Sequence, residues 1–117
     1  MIQEDIGIYV ATIEIAGHRP YKLYLLPDHP EDRMEHQAAL GWAYSIDGDL
    51  PNRYEQAILH AFQRNQFDGE WCWSSVLHDD PDYAWCHYFD DGYQGSSYRK
   101  DKLRARAVRR VYLEETK

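Results

Sequence analysis

The chain has 117 residues, 44% of them apolar, a length that fits one domain built around a single core. Its formal charge of −7 argues against direct binding of nucleic acid, because proteins that do so use Lys and Arg to displace counterions from phosphate. No stretch approaches the roughly 18 apolar residues of a membrane span, and the acidic residues 1–5 are unlike a signal peptide, so we expect a cytoplasmic protein without membrane association.

The first predicted element is a β-hairpin. Residues 6–15 are rich in β-branched side chains and alternate between apolar and polar, which is typical of a half-buried strand. Residues 16–20 contain Gly17 and Pro20 and predict a turn, and residues 21–26 predict the return strand. The chain is therefore expected to open with two antiparallel strands.

A first helix is predicted over residues 33–46. Asp32 and Glu35 have the spacing of an N-cap residue and its reciprocal partner. Apolar side chains then recur at helical spacing, at Met34, Ala38, Trp42 and Ile46. Gly48 follows closely, and a glycine at this point predicts the end of the helix.

A second helix is predicted over residues 53–64, with a clearer start. Asn52 is a good N-cap residue, and Glu55 is placed to reach back to its backbone. The apolar residues of this helix form one stripe, which we assign to the core: Tyr54, Ala57, Ile58, Ala61 and Phe62.

Four short strands are predicted after Asn65, separated by turns, over residues 70–76, 83–89, 93–99 and 103–113. In the last strand, period-two geometry directs Ala105, Ala107 and Val111 to the core and Arg104, Arg106 and Arg110 to solvent. Because helices and strands are segregated along the chain, the predicted fold class is α+β.

Basic residues are concentrated near the end of the chain. Residues 99–110 contain seven basic side chains and one acid, so the remainder is more acidic than the total charge of −7 suggests. Two interpretations stay open. The cationic strand crosses acidic elements of the fold, which we favour, or it contacts a phosphate or another anion.

The two cysteines and three of the tryptophans lie in the aromatic strands that are predicted for the second half of the chain. Cys72 and Cys86 each lie within such a strand, where a free cysteine behaves as a small buried apolar residue, and two thiols do not define a disulfide framework. The tryptophans of these strands, Trp71, Trp73 and Trp85, are assigned to the core.

The sequence favours no catalytic or metal chemistry. Five aspartates between residues 79 and 91 have enough oxygen atoms for calcium, but solvated turns explain them better. The six histidines lack the spacing of a transition-metal site. Ser74 and Ser75 lack a nucleophile elbow, and we expect them to pair with neighbouring backbone. We therefore expect no enzyme activity and no cofactor.

Residues 78–98 are rich in Asp, Tyr, His, Ser and Gly, the residue types that supply adaptable polar contacts and rigid aromatic contacts on recognition surfaces. On alternating strands one set of these side chains points outwards. We predict that the ligand-binding residues are Tyr83, His87, Asp90, Asp91, Tyr93, Gln94, Ser96 and Tyr98.

Several motifs occur together in this order: Gly48-Asp-Leu-Pro-Asn-Arg-Tyr-Glu55, Phe67, Trp71-x-Trp-Ser-Ser75, Tyr83-Ala-Trp85, Phe89-Asp-x-Gly92 and Arg104-Ala-Arg-Ala-Val-Arg-Arg110. Over roughly residues 20–112 the chain resembles the Lcl C-terminal-like family, a domain of unknown function, and its short phage and prophage members in particular. It departs from the family at Asn52, where Thr or Ser is expected, and at Cys72, where Tyr is expected.

The resemblance implies a C-type-lectin-like fold with an N-terminal hairpin, two helices and a small antiparallel sheet in which the first and last strands pair. It also implies a ligand face in the second half of the chain, which diversity-generating retroelements rewrite in several relatives. The fold alone assigns no activity.

Three functional hypotheses follow. The first is a non-enzymatic binding module of phage or prophage origin that presents a variable face to a protein or glycan. The second is an acidic phage-encoded inhibitor of a host nucleic-acid-binding defence complex, motivated by the charge excess. The third is a virion or tail accessory protein. The protein would act in the host cytoplasm or on the virion, and the sequence does not define its oligomeric state.

Overall fold

The structure, a computed structural model, describes residues 7–113 and contains two three-stranded antiparallel sheets, two α-helices and a 3-10 turn. The strands are β1 (Ile8–Ile13), β2 (Tyr21–Leu25), β3 (Trp71–Leu77), β4 (Tyr83–Tyr88), β5 (Gln94–Tyr98) and β6 (Val108–Tyr112). The helices are α1 (His36–Ser45) and α2 (Arg53–Gln63), and the 3-10 turn (Arg64–Gln66) follows α2. The acidic start and residue 6 of the first predicted strand lie outside the described residues.

The first sheet has the order β1-β2-β6, so β2 is its central strand. Buried side chains alternate along β2 at Tyr21, Leu23 and Leu25, and a strand that is this buried needs backbone partners on both edges. The prediction that the first and last strands pair with each other is therefore wrong. The last strand, β6, pairs with β2, and β1 lies on the opposite edge.

The second sheet has the order β3-β4-β5. The fold class predicted from the sequence, an α+β C-type-lectin-like domain with a hairpin, two helices and one small sheet, is wrong. The chain builds two sheets, and the 3-10 turn adds a helical element between α2 and β3. The predicted strand over 103–113 is also interrupted, because Leu103 and Arg104 make only isolated bridges and β6 begins at Val108.

Helix α1 begins later than its sequence suggests. The backbone of Met34 pairs with that of Leu103, with an N–O distance of 2.8 Å, and this bridge holds the preceding residues in an extended conformation. The N-cap is Glu35, whose side chain makes no capping hydrogen bond, so the predicted Asp32 cap is wrong. Past the end of the helix, Asp47 adopts a positive φ of 64°.

Helix α2 begins as predicted. Asn52 Oδ1 accepts a hydrogen bond from the backbone N–H of Glu55 at 2.8 Å, and Glu55 Oε1 accepts one from the N–H of Asn52 at 2.9 Å. These reciprocal bonds form a capping box, which satisfies two backbone donors at the helix start.

The buried face of α2 is not the predicted one. Tyr54 and Phe62 are 55% and 65% exposed, and Ala57 and Ala61 are also exposed, so the assignment of these four residues to the core is wrong. Ile58, the fifth residue of the predicted stripe, is partly buried and packs against the core. The buried residues of the helix are Glu55, Gln56 and Leu59. Two of these three are polar, and each needs partners inside the protein.

Glu55 and the amide nitrogen of Gln56 find such partners beneath α2, whereas Gln56 Oε1 is buried without a hydrogen-bond partner among the described residues. Gln56 Nε2 donates to the carbonyl oxygens of Cys72 and Trp73, at 3.3 and 3.1 Å. Glu55 accepts hydrogen bonds from Arg110 Nε and Nη2, both at 2.7 Å, and from the Tyr21 hydroxyl at 2.6 Å. These contacts connect α2 to both sheets.

Charge balance in this cluster favours the ionised carboxylate. Burial raises the pKa of Glu55, but the hydrogen bonds and positive charge of Arg110 outweigh this effect, and the pKa is lowered overall. Burial and the bond to Glu55 raise the pKa of Tyr21, which stays protonated as a donor. Asp49 Oδ2 also accepts a hydrogen bond from Arg110, at 2.8 Å.

Arginines of the basic segment form ion pairs with acidic residues inside the protein. Arg104 lies 3.8 Å from Asp68 and 3.4 Å from Glu70, and Arg110 pairs with Asp49 and Glu55. For residues 104–110 the interpretation that the cationic segment crosses acidic elements is thus confirmed, whereas Arg99, Lys100 and Lys102 make no ion pair within residues 7–113. The prediction that Arg104, Arg106 and Arg110 face solvent is wrong: Arg106 is buried, and the other two are half-buried.

The core consists of two apolar clusters, one packed against α1 and one between the first sheet and α2. Trp73 is fully buried, as predicted, whereas Trp71 and Trp85 are only partly buried. Cys72 and Cys86 are buried free thiols, also as predicted. Burial raises the pKa of both thiols to about 12, so neither forms a reactive thiolate at neutral pH.

Candidate functional site

One face of the second sheet carries most of the residues selected from the sequence. Across β4 and β5, Tyr83 lies opposite Tyr98, Trp85 opposite Ser96, and His87 opposite Gln94. Because side chains alternate along a strand, these six project to the same side of the sheet. Helix α2 covers the His87 end of this surface, and the other end is left open.

The open end is an aromatic surface, which we call the aromatic face and define by His78, Tyr83, Trp85, Ser96 and Tyr98. The rings of Tyr83 and Tyr98 meet edge to face, with centroids 5.9 Å apart, and both residues are substantially exposed, at 37% and 42%. The His78 ring lies 6.3 Å from that of Tyr83 and 5.2 Å from that of Trp85. Edge-to-face packing fixes the directions of these rings.

Arg53 connects the aromatic face to α2. Its guanidinium carbon lies 3.5 Å from the ring centroid of Trp85, which is a close cation–π contact. Its Nε donates to Gln94 Oε1 at 3.0 Å, and Gln94 Nε2 donates to the Arg53 carbonyl oxygen at 2.8 Å. An exposed arginine is thereby held in one orientation at the border of the face.

His87 occupies the covered end and is only 1% exposed, so the prediction that it points outwards is wrong. Because Arg53 fixes the Gln94 amide, Gln94 Nε2 donates to His87 Nδ1 at 3.0 Å. His87 therefore carries its proton on Nε2, which lies 3.2 Å from His60 Nδ1 and donates to it. Burial, and then the neighbouring His60, lower the pKa of His87 to about 4.

Protonation of His87 is expected to destabilise the fold. Its pKa lies below the ordinary value of 6.5, so the unfolded chain binds more protons, and stability is lost as the pH falls from 6.5 towards about 4. Buried His36, whose pKa is also lowered by burial, acts in the same direction. We expect His87→Gln to flatten the pH dependence of the urea midpoint, measured by circular dichroism. An unchanged slope would show that His87 is not a titrating group in this range.

Three predicted residues lie elsewhere, in and around the turn between β4 and β5. Asp91 Oδ1 accepts a hydrogen bond from the Tyr93 N–H at 3.0 Å, and Asp90 lies 4.0 Å from Arg64. The exposed Tyr93 ring packs edge-on against Trp71, with centroids 6.0 Å apart. The structure therefore separates Asp90, Asp91 and Tyr93 from the aromatic face.

Sequence reasoning missed three members of this site. His78 precedes β4, Trp85 was assigned to the core, and Arg53 belongs to a helix. The alternation of Tyr83 and Trp85 along one strand was a usable signal for Trp85. No local signal identifies Arg53, because its place beside Trp85 depends on how α2 packs on the sheet.

The Ser74 hydroxyl accepts a hydrogen bond from the Val76 N–H at 3.0 Å, so this serine pairs with neighbouring backbone as predicted. Within residues 7–113, no group of three or more His, Cys, Asp or Glu side chains is arranged to hold a metal ion. No helix in the same range is long and apolar enough to cross a membrane.

Comparison with models of known protein families gives no match, and comparison with curated proteins gives no significant match.

Proposed function

We propose that the protein is a non-enzymatic binding module that recognises a protein ligand through the aromatic face. The observation that carries this proposal is the exposed pair Tyr83 and Tyr98 beside Trp85 and Arg53. Tyrosine, tryptophan and arginine are the residue types that supply most of the binding energy at protein interfaces, and they do so in clusters.

The rigidity of the cluster supports the same function. Arg53 is held by Trp85 and by two hydrogen bonds with Gln94, and the two tyrosine rings hold each other. Side chains that are ordered before binding lose less conformational entropy on association. Ser96 lies between the tyrosine pair and Gln94 along β5 and adds a small polar group that can accept or donate a hydrogen bond.

The test is affinity capture with matched variants. The double variant Tyr83→Ala/Tyr98→Ala removes the exposed rings, whereas Tyr44→Ala removes an isolated tyrosine on α1 that is 83% exposed. Losing a hot-spot residue costs at least about 2 kcal/mol, so we expect the double variant to bind its ligand roughly 30-fold more weakly. Tyr44→Ala should bind like the parent chain.

The capture uses lysate of the organism that carries the gene, with quantitative mass spectrometry of the bound proteins, and a glycan array runs in parallel. Circular dichroism confirms that each variant is folded. Proteins lost with the double variant and kept with Tyr44→Ala support the proposal. Equal recovery with both variants contradicts it, and a signal confined to the glycan array shows that the ligand is a sugar and not a protein.

A further inference from the structure

We propose that two copies of this chain associate through β5, so that their second sheets join into one six-stranded antiparallel sheet. The proposal does not depend on what the aromatic face binds. It rests on the open edge of β5, on the backbone groups of β5 that point towards that edge, and on the charges at the two ends of the strand.

The edge of β5 lacks the usual protection. Its sequence, Gln-Gly-Ser-Ser-Tyr, contains no Pro or Lys, and its register with β4 is continuous, without a bulge. The three other outer strands differ: β1 has a register shift between Tyr9 and Ala11, β3 is bridged by Arg104, and β6 is bridged by Asp49 at Val108. Among residues 7–113, no strand or bridge pairs with the outer edge of β5. Natural proteins usually block such an edge or use it for pairing.

Alternate residues of β5 direct their backbone N–H groups away from the sheet, where a new partner strand could accept their hydrogen bonds. The Tyr88 N–H donates to the Tyr93 carbonyl at 2.8 Å, which fixes this pair as hydrogen-bonded. Hydrogen-bonded and non-hydrogen-bonded pairs alternate along an antiparallel ladder, so Gly95 and Ser97 direct their backbone groups to β4. The residues whose backbone N–H groups face away from the sheet are Gln94, Ser96 and Tyr98.

These outward positions are self-complementary. If a two-fold axis passes between the two copies of Ser96, these serines lie opposite each other, and Gln94 of each copy lies opposite Tyr98 of the other. Every residue in these pairs directs its backbone N–H group towards the new partner strand. The side chains at the centre of the new seam are small, since Gly95, Ser96 and Ser97 occupy it. Close approach of the two strands is therefore unobstructed by bulky groups there.

The charges at the ends of β5 match this antiparallel arrangement. The chain enters β5 past exposed Asp90 and Asp91, and it leaves β5 through residues 99–102, which contain three basic side chains and one acid. Two-fold pairing brings the acidic end of one copy beside the basic end of the other, and this contact occurs twice. A parallel arrangement would place like charges together, which is unfavourable.

Such a dimer enlarges the aromatic face. Residues opposite each other in an antiparallel pair project to the same side, so Tyr98 and Ser96 of both copies lie on one surface. The two aromatic faces then form a single continuous platform on the joined sheet. A ligand with two epitopes gains from this arrangement by avidity.

Sedimentation velocity over a concentration series tests the dimer. Ser96→Pro removes an outward N–H and leaves the ladder to β4 intact, because an edge strand tolerates proline where its N–H faces solvent. We expect the parent chain and Ser96→Ala to dimerise, and Ser96→Pro to raise the dimer dissociation constant at least tenfold. Circular dichroism checks that the proline variant is folded.

A charge-exchange experiment tests the antiparallel register. Asp90→Lys/Asp91→Lys and Lys100→Glu/Lys102→Glu should each weaken self-association, and mixing the two variants should restore it as a heterodimer. A parent chain that stays monomeric at every concentration overturns the proposal, as does a dimer indifferent to Ser96→Pro. A monomeric parent whose ligand capture survives Ser96→Ala and is abolished by Ser96→Pro also overturns it and assigns the edge to an extended segment of another protein, because Ser96→Ala removes only the hydroxyl that lies on the aromatic face.

Discussion

Glu55→Ala is expected to destabilise the protein by about 3–5 kcal/mol, because it leaves the charge of half-buried Arg110 without its closest partner. The variant also loses one half of the capping box and the acceptor of the Tyr21 hydroxyl. The measurement is urea unfolding at neutral pH. Glu35→Ala is the matched control, since this exposed acid at the start of α1 makes no capping bond and should change stability by less than about 0.5 kcal/mol.

A double variant separates the ion pair from simple loss of packing. If Glu55 and Arg110 act through each other, then Glu55→Ala/Arg110→Met should cost clearly less than the sum of the two single variants. Strict additivity, or a loss of stability below about 1 kcal/mol for Glu55→Ala alone, would show that the ion pair of Glu55 and Arg110 does not stabilise the fold.

The same carboxylate predicts sensitivity to acid. The folded-state pKa of Glu55 is lowered, so its contribution is fully present above the ordinary pKa of 4.5 and is lost as the pH falls below that value. Protonation of the buried histidines lowers the stability of the fold at higher pH, between about 4 and 6.5 for His87. Acid unfolding should therefore begin with the histidines and be completed by Glu55.

Leu59→Ala is expected to cost about 2–5 kcal/mol, because Leu59 is the fully buried apolar side chain of α2 and its truncation leaves a cavity. Phe62→Ala, on the same helix, removes a larger side chain that is mostly exposed and should change stability by less than about 0.5 kcal/mol. The apolar stripe predicted from the sequence contains Phe62 and lacks Leu59, so it would predict the opposite order. The urea midpoints of the two variants test this order. A larger loss of stability for Phe62→Ala than for Leu59→Ala would contradict the orientation of α2.

Sequence reasoning succeeded where the deciding interaction is local. The capping box joins Asn52 to Glu55, three residues apart, and both partners can be read from the chain. Alternation along β4 likewise placed Tyr83 and His87 on one side of a strand. It could not show that α2 covers His87 and leaves Tyr83 open, since that depends on a contact with His60, 27 residues away.

The failures share one physical cause, which is long-range polar pairing. Glu55 is buried against Arg110, and Gln56 Nε2 donates to the backbone of β3, so most of the predicted apolar stripe of α2 is turned outwards. Pairing with Glu70 and Glu55 likewise draws Arg104 and Arg110 inwards, against the alternation predicted for a strand over 103–113. A pattern of hydropathy cannot reveal a partner that lies 55 residues along the chain.

If the aromatic face is the recognition surface, its side chains lie within reach of the bound ligand, and site-specific photo-crosslinking detects this contact. The photoreactive residue p-benzoylphenylalanine is placed at position 83 in one protein and, as a control, at position 44 in another, and each is irradiated in lysate of the organism that carries the gene. We expect a discrete adduct from position 83 that the Tyr98→Ala substitution abolishes, and none from position 44. Adducts from position 44 alone, or equally from both positions, would contradict it.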